Sequence, residues 1–323
     1  MSVIIPVYNE EKNVSRILDK LDSQSLSHFE VIIIDDGSTD KTAELVRNYR
    51  PLTYSIKLLQ QKNSGAAQAR ELGIRTSVRE YVAVIDCDDD IASDALEKTL
   101  LPFFFNDIDI SLFDLQYISS GDNQSVVKFT YYTSEKIVDG EDAFKNCISS
   151  WGLHAIGIYR KKTILRAYEL YHSYNSKNDN FINNDEIISR FSFLSARTIF
   201  IGGGDYFVVN NLDSTTRRVN KNYYKVIDNS YILYYFICNS ELYNNNPCIQ
   251  GKALSLLVST HWGVTFRYLK WRNKIGMDNL HIWREYLRKS LKTLHQIKNE
   301  NTASLSIKNK MQLLLIHLII IKL

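Results

Sequence analysis

The sequence predicts an α/β fold whose parallel sheet leads into a C-terminal helical region, and three observations carry that prediction. Short apolar runs, "SVIIPV", "EVIII" and "YVAVI", alternate with segments of helical periodicity over residues 2–100. Two of these runs end in carboxylates, Asp35-Asp36 and the cluster Asp86, Asp88, Asp89 and Asp90. Beyond about Arg218 the alternation stops and the chain reads as helix. Strands alternating with helices at this rhythm imply a parallel sheet covered on both faces, and such sheets bind ligands beyond the carboxyl ends of their strands.

In order, "SVIIPVYN" is a strand stopped by Pro6. "EEKNVSRILDKLDSQS" follows as an amphipathic helix with Val14, Ile17, Leu18 and Leu21 on one face. "FEVIIIDDGSTD" repeats the plan as a strand, carboxylates and a glycine turn. "KTAELVRNYR" is a helix, "SIKLLQQ" a strand, "GAAQARELGIRTS" a helix and "YVAVI" a strand. From about residue 104 the pattern is mixed. "IDISLFDLQYI" and "VVKFTYY" read as strands, "GEDAFKNCI" and "NNDEIISRFSFLSA" as helices, and the glycines of "TIFIGGGDYFVV" as a turn between strands. A phosphate-loop reading of those glycines fails, because no Lys-Ser/Thr and no helix follow them.

The 323 residues suffice for a large core, and the apolar and charged fractions of 45% and 23% exclude general disorder. "VII" behind the first two residues is too short for a secretory core, so cytoplasmic residence is the expectation. Cys87, Cys147, Cys238 and Cys248 lack metal-ligand spacing and read as reduced packing thiols, and the seven histidines are equally dispersed. The net charge of +3 conceals an asymmetry: residues 251–323 carry 13 Lys+Arg against 3 Asp+Glu. Such a tail suits nucleic acid or an anionic membrane surface, and composition does not choose between them.

Four carboxylates within five positions repel one another unless water, cations or basic side chains neutralise them. Mg²⁺ and Mn²⁺ take one or two carboxylates together with phosphate oxygens and water, so a divalent ion would relieve the crowding at Asp86 to Asp90. Asp35-Asp36 before Gly37 suits a different task. A carboxylate accepts hydrogen bonds from a base or ribose, while glycine lets the backbone turn closely around the ligand. Two acidic strand ends on one sheet edge suggest a nucleoside-diphosphate site. The bland readings are solvated turns at both strand ends, and at "NNDEIISR" an acidic helix N-terminus that complements the helix dipole.

In order and spacing, "SVIIPVYNEEKNVSRILDKLDSQS", "FEVIIIDDGSTDKTAELV", "NSGAAQARELGI" and "YVAVIDCDDDIASDALEK" resemble family 2 inverting glycosyltransferases. The resemblance implies a GT-A, Rossmann-like nucleotide-diphospho-sugar transferase sheet. It covers residues 1–100 most specifically and weakens toward 218. It implies Pro6, Tyr8, Asn9 and Glu10 beside the nucleotide, Asp36 accepting from the base, and Asp35 supporting the loop or reaching the ribose. Arg70 would lie near the base or diphosphate, with Glu71 where the family usually has Asn. Asp86 and Asp88 would form the metal motif for Mn²⁺ or Mg²⁺, Asp88 as the direct ligand, and Asp89 would line the sugar pocket. Asp90 stands where a Trp is frequent. The base would be Asp185 or Glu186, with Asp185 favoured; Asn184 replaces the family's Glu. Trp151 and His154 would face the acceptor, against core packing as the plain alternative.

The implied organisation is a catalytic domain over 1–218, with a nucleotide-sugar half to about 104 and an acceptor half beyond, then a basic helical region over 219–323. "WRNKIGMDNLHIWREYLRKSLKTLHQIKN" reads as an amphipathic helix. The closing "KNKMQLLLIHLIIIKL" is too short to span a bilayer and suits an interfacial helix anchored by Lys308 and Lys310, or an oligomer contact. The resulting expectation is transfer of a sugar from a UDP-sugar to a glycan acceptor carried on a polyprenyl diphosphate lipid, in surface polysaccharide (O-antigen or capsule) synthesis. The enzyme would be peripheral on the inner membrane face and would not bind nucleic acid. The competing readings are a nucleotidyltransferase, a nucleic-acid-binding protein using the basic tail, and an inactive sugar-nucleotide-binding scaffold.

Overall fold

A computed structural model describes residues 1–118, 125–177, 179–209, 219–300 and 305–321. The chain divides into two compact units. The first holds Met1–Phe144, His154–Leu170 and Ile188–Asn211; the second holds Lys145–Leu153, Tyr171–Ile187 and Leu212–Leu323. The boundary expected at Arg218 lies outside the described residues.

The first unit opens as its patterning predicts, except that the first strand runs through Pro6 to Val7 instead of stopping at the proline. In chain order come β1 (Ser2–Val7), α1 (Val14–Asp22), β2 (Glu30–Asp35), α2 (Thr42–Asn48), β3 (Ser55–Gln60), α3 (Ala66–Thr76) and β4 (Tyr81–Val84). Val14, Ile17, Leu18 and Leu21 are the buried residues of α1, the face that its sequence period marks. β3, β2, β1 and β4 lie side by side and parallel. Ile85 donates its N–H to the Ile4 carbonyl, so by alternation Pro6 faces the β4 side, beyond the last paired residue Ile4. The missing proline N–H therefore breaks no ladder bond.

The second half of the sheet departs from the expected parallel pattern. Its elements are β5 (Asp90–Ile91), α4 (Ala95–Leu100), α5 (Pro102–Phe105), β6 (Ile110–Ile118), β7 (Val126–Lys128), β8 (Ile137–Asp139), α6 (Gly140–Asn146), β9 (Gly157–Arg160), α7 (Lys161–Tyr174), α8 (Asn184–Ser195) and β10 (Thr198–Val209). Among the described residues the sheet runs β3-β2-β1-β4-β9-β6-β10-β5, with β9 antiparallel to both β4 and β6. β7 is shorter than the strand read in "VVKFTYY", and β5, β8 and β9 were not expected at all; strands of two to four residues are too short to show a period.

Gly202, Gly203 and Gly204 are not a turn. β10 runs through them, with a register irregularity between Ile201 and Asp205. The reason is close packing by α4: a Cβ on Gly203 would meet Thr99 Oγ1 at 2.5 Å, and one on Gly204 would meet Ala95 Cα at 2.4 Å. The Gly204 N–H donates to Thr99 Oγ1 at 2.9 Å.

The second unit contains the C-terminal helices α9 (Val226–Asn239), α10 (Pro247–Trp271), α11 (Met277–Glu300) and α12 (Ile307–Ile321), after a short 3₁₀ turn at Tyr223–Lys225. α10 packs against α9, α11 and α12. The basic segment is not a single helix: the chain breaks after Trp271, and Gly276 takes a left-handed φ of 79° before α11 begins. Trp283, Leu287, Leu291 and Leu294 of α11 are buried, while Ile282 is exposed. Leu313, Ile316 and Ile320 of α12 are buried; Met311, Leu314, Leu318 and Ile321 are exposed. No helix among the described residues is long and apolar enough to cross a membrane.

Candidate functional site

The carboxyl ends of β1, β2 and β4 bring three loops of the first unit together. Asn9 adopts a left-handed φ of 56°, a conformation asparagine tolerates, and so can bridge two loops. Its N–H donates to Ser38 Oγ at 2.9 Å, and its Oδ1 accepts from the Thr39 N–H at 2.8 Å. The Glu10 N–H donates to Thr42 Oγ1 at 2.8 Å. Tyr8 remains exposed on the same loop.

Both members of the first acidic pair are buried, and both are tied down. Asp35 accepts from the Ser38 N–H and from Gln60 Nε2 at 2.9 and 2.8 Å. Asp36 accepts three bonds of 2.7 to 2.8 Å, from Gln61 Nε2 and from the N–H groups of Ser64 and Gly65. Three acceptors are thus engaged in fixing the loop between β3 and α3, of about four lone-pair sites on a carboxylate. Gly37, with φ 80°, lies where a Cβ would meet the Asn63 nitrogen at 3.0 Å. The close turn thus requires glycine.

The crowding of the second cluster is relieved carboxylate by carboxylate. Asp86 is paired with Arg70 Nη2 at 2.7 Å. Asp90 lies 3.2 Å from Lys20 Nζ and 3.8 Å from Arg16 Nη1, both on α1. Asp89 is buried, accepting from the Tyr206 hydroxyl at 2.8 Å and the Val209 N–H at 3.0 Å. Burial, then the charge of Asp86, push its acid up to about 8. Tyr206 also accepts the Asp86 N–H at 3.2 Å, which joins β10 to the acidic loop. Asp88 is half-buried.

Glu10 joins this group electrostatically. Burial raises its acid first, Asn13 opposes by donating to it, and the charges of Asp88, Asp40 and Asp86 raise it further. Carboxylates from the first and fourth strand ends therefore share one space. Among the described residues no group of three His, Cys, Asp or Glu side chains could by itself cage a metal ion. A donor set of Asp86 and Asp88 fits Mg²⁺ or Mn²⁺, which usually keeps water and takes phosphate oxygens besides one or two carboxylates. It does not fit a structural zinc site, which needs four protein ligands.

The remaining predicted residues are distributed over both units. Asp185 and Glu186 stand in the first turn of α8, in the second unit. Glu186 accepts from the N–H groups of Gly152 and Leu153 at 2.7 and 3.1 Å, whereas Asp185 is exposed. Asn229 Nδ2 lies 3.0 Å from Asn184 Oδ1 and 2.9 Å from the Ile182 carbonyl oxygen, which fixes the start of the helix. Asn184 thus accepts a neutral donor. Trp151 belongs to the second unit and donates from Nε1 to Thr260 Oγ1 at 2.8 Å. His154 belongs to the first, its ring set edge-on to Tyr117 and Phe129. Sequence reasoning missed Tyr206, Gln60, Gln61 and Asn229. A tyrosine inside an apolar strand, or an asparagine in a helix, carries no local signal of its distant partner.

Comparison with known proteins agrees with this geometry. YibD of Escherichia coli (strain K12), an uncharacterized glycosyltransferase, is 30% identical over 51% of this chain and 50% of its own length. Glycosyltransferase GlyG of Streptococcus pneumoniae serotype 4 is 24% identical over 64% of this chain and 69% of its own. Glycosyltransferase GlyA of the same organism is 29% identical, with only 24% of its length matched. The chain therefore spans about half of YibD and a quarter of GlyA. Among solved structures, S. aureus TarS residues 1–349 in complex with UDP-GlcNAc align with a TM-score of 0.63 at 19% identity, covering 91% of this chain and 81% of that one. That likeness shows the fold, a GT-A sheet with a helical C-terminal region. Residues 2–164 match Glycosyl transferase family 2, and on that match, together with the loop geometry above, the chain belongs to this family.

Proposed function

We propose that the chain transfers a sugar from a UDP-sugar to a glycan hydroxyl by a single inverting displacement, forming a β linkage. The observation that carries the reading is the convergence of the Asn9, Asp36 and Asp86–Asp89 loops at the ends of three adjacent parallel strands. TarS, which shares the fold, binds UDP-GlcNAc, and this supports a uridine nucleotide donor. In this reading Asp36 offers its remaining lone pair to the base while its other bonds hold the loop, and Pro6, Tyr8 and Asn9 flank the nucleotide. Arg70, paired with Asp86 at 2.7 Å, lies near the base or diphosphate. Asp89 lines the sugar pocket, held by Tyr206 and the Val209 N–H.

Asp88 and Asp86 are the residues to hold Mn²⁺ or Mg²⁺, which when bound would stabilise the charge of the departing diphosphate. Asp185 is the proposed base. It is exposed to solvent at the start of α8, and Glu186 is half-buried against the backbone of residues 152 and 153. A general base removes the acceptor proton as the oxygen attacks the anomeric carbon. Trp151 and His154 are proposed acceptor contacts.

The proposed acceptor is a lipid-linked surface polysaccharide of O-antigen or capsule type. The excess of 13 basic over 3 acidic residues in 251–323 and the exposed apolar residues of α12 support a peripheral position on an anionic membrane. A homo-oligomer contact through the same face is the second reading. The test is thermal shift with UDP-, GDP- and TDP-sugars, with and without Mn²⁺, since a ligand that binds only the native state raises its stability by mass action. A shift for UDP-sugars that needs Mn²⁺ supports the donor reading; shifts confined to GDP- or TDP-sugars overturn it.

A further inference from the structure

The second unit carries a cavity of about 290 Å³ that the donor reading does not use. Its walls include Tyr174, Tyr231 and Tyr235, the carboxylates Asp179 and Asp228, and Lys177. The volume is near the lower end for small-molecule sites and suits one ring-sized ligand.

The aromatic wall is preorganised. Tyr231 and Tyr235 are one helical turn apart on α9, with rings stacked at 5.9 Å and 19°. The Tyr231 hydroxyl donates to the Ser290 carbonyl at 2.7 Å, and the Tyr174 ring is braced edge-on by Phe236 at 5.8 Å. The polar wall is also fixed. Buried Asn175 donates to the Asp179 carbonyl at 3.0 Å and accepts the Asp179 N–H at 3.1 Å, which ties the Asp179 backbone in place. Asp228 Oδ1 accepts from the Tyr286 hydroxyl at 2.6 Å. Among the described residues no donor reaches Oδ2.

Charge decides what fits. Asp179 and Asp228 are offset by Lys177 in the wall and by Lys225 and Lys289, whose fields reach Asp228. A cation gains little from such a balanced site, and an oxyanion would face two carboxylates. A neutral ligand rich in hydroxyls can donate to the carboxylates, accept from the lysine and lay an apolar C–H face on a tyrosine ring. We infer that this cavity binds one pyranose ring of a glycan, through stacking on the tyrosines and hydroxyl bonds to Asp179 and Asp228. The site deepens the acceptor side of the proposed function, and rests on that reading only for the glycan's role as acceptor.

Saturation-transfer NMR on the full chain tests it, with methyl glycosides of glucose, galactose, mannose and N-acetylglucosamine as probes and choline as the cationic control. At least one glycoside should bind in the millimolar range. Tyr235→Ala and Asp179→Ala, both at exposed positions, should each weaken that binding about fivefold or more, Tyr235→Phe should preserve it, and choline should not bind. Thermal midpoints of the variants verify folding. No binding by any glycoside, binding unchanged in both alanine variants, or a preference for choline overturns the site. Failure of the donor reading would appear instead in the response to UDP-sugars, which these variants leave unchanged.

Discussion

Asp185 and Glu186 are chemically alike and adjacent, and the proposal gives them different work. Glu186 spends its carboxylate on two backbone N–H groups, while Asp185 is exposed at the helix start. Asp185→Asn should therefore lower kcat about 10²-fold or more with donor KM nearly unchanged, the scale of a lost general base. Glu186→Gln should cost about 1–2 kcal/mol of stability, because its amide NH₂ would face a backbone donor. A urea titration beside initial-rate kinetics separates the two, and a dead Glu186→Gln with an active Asp185→Asn reverses the assignment. The family resemblance brings both residues forward and favours Asp185, but the contacts that distinguish Glu186 come from residues 152 and 153, which the sequence does not show as its neighbours. The same limit holds at Asp89. Crowding of carboxylates is visible in a string of letters, but Tyr206, which takes part in relieving it, is 117 positions away.

Elements were legible wherever a period was long enough to register. α1, α2 and α3, the strands between them and the acidic strand ends all follow from local pattern. The later short strands do not, because their identity depends on pairing partners and not on their own residues. Glycine shows the difference most clearly. In β10 the glycines suggest a turn until α4 is seen lying on them, and Gly204→Ala should cost about 1–3 kcal/mol as the helix is forced off the strand. Gly263 lies inside α10, where a Cβ would have only the end of Arg267 nearby, at 3.6 Å. Gly263→Ala should stabilise by about 0.5–1 kcal/mol, since alanine loses less backbone freedom in a helix. Opposite signs for these two changes in denaturant midpoints would support the packing account; equal signs would count against it.

At the scale of the whole molecule, two features bear on conditions of use. His261 is fully buried on α10, with Nδ1 2.8 Å from the Leu257 carbonyl oxygen, and burial pushes its acid down to about 4. The unfolded imidazole takes up its proton near pH 6.5 while the folded one resists. Stability present above that value is thus lost as pH falls from 6.5 to 4, by up to about 3 kcal/mol. Unfolding free energies across that range should show the decline, and His261→Gln should flatten it. α12 supplies the second feature. Deletion of residues 308–323 should abolish co-sedimentation with anionic vesicles and leave transfer to a short soluble acceptor intact; unchanged sedimentation with loss of a dimer would assign the exposed apolar face to self-association.

The central claim is metal-assisted inverting transfer from a UDP-sugar at the convergent carboxylates, and the most direct measurement is UDP release coupled to the anomeric configuration of the product by NMR. Full-length protein is incubated with UDP-glucose, UDP-galactose or UDP-N-acetylglucosamine and a glycan acceptor, with Mn²⁺ or excess EDTA, alongside Asp88→Ala. The account predicts a β-linked product from at least one donor, formed only with the divalent ion and absent in the Asp88→Ala protein, whose unfolding midpoint stays near that of the parent. An α-linked product, or UDP release that persists undiminished in EDTA and in Asp88→Ala, would contradict it.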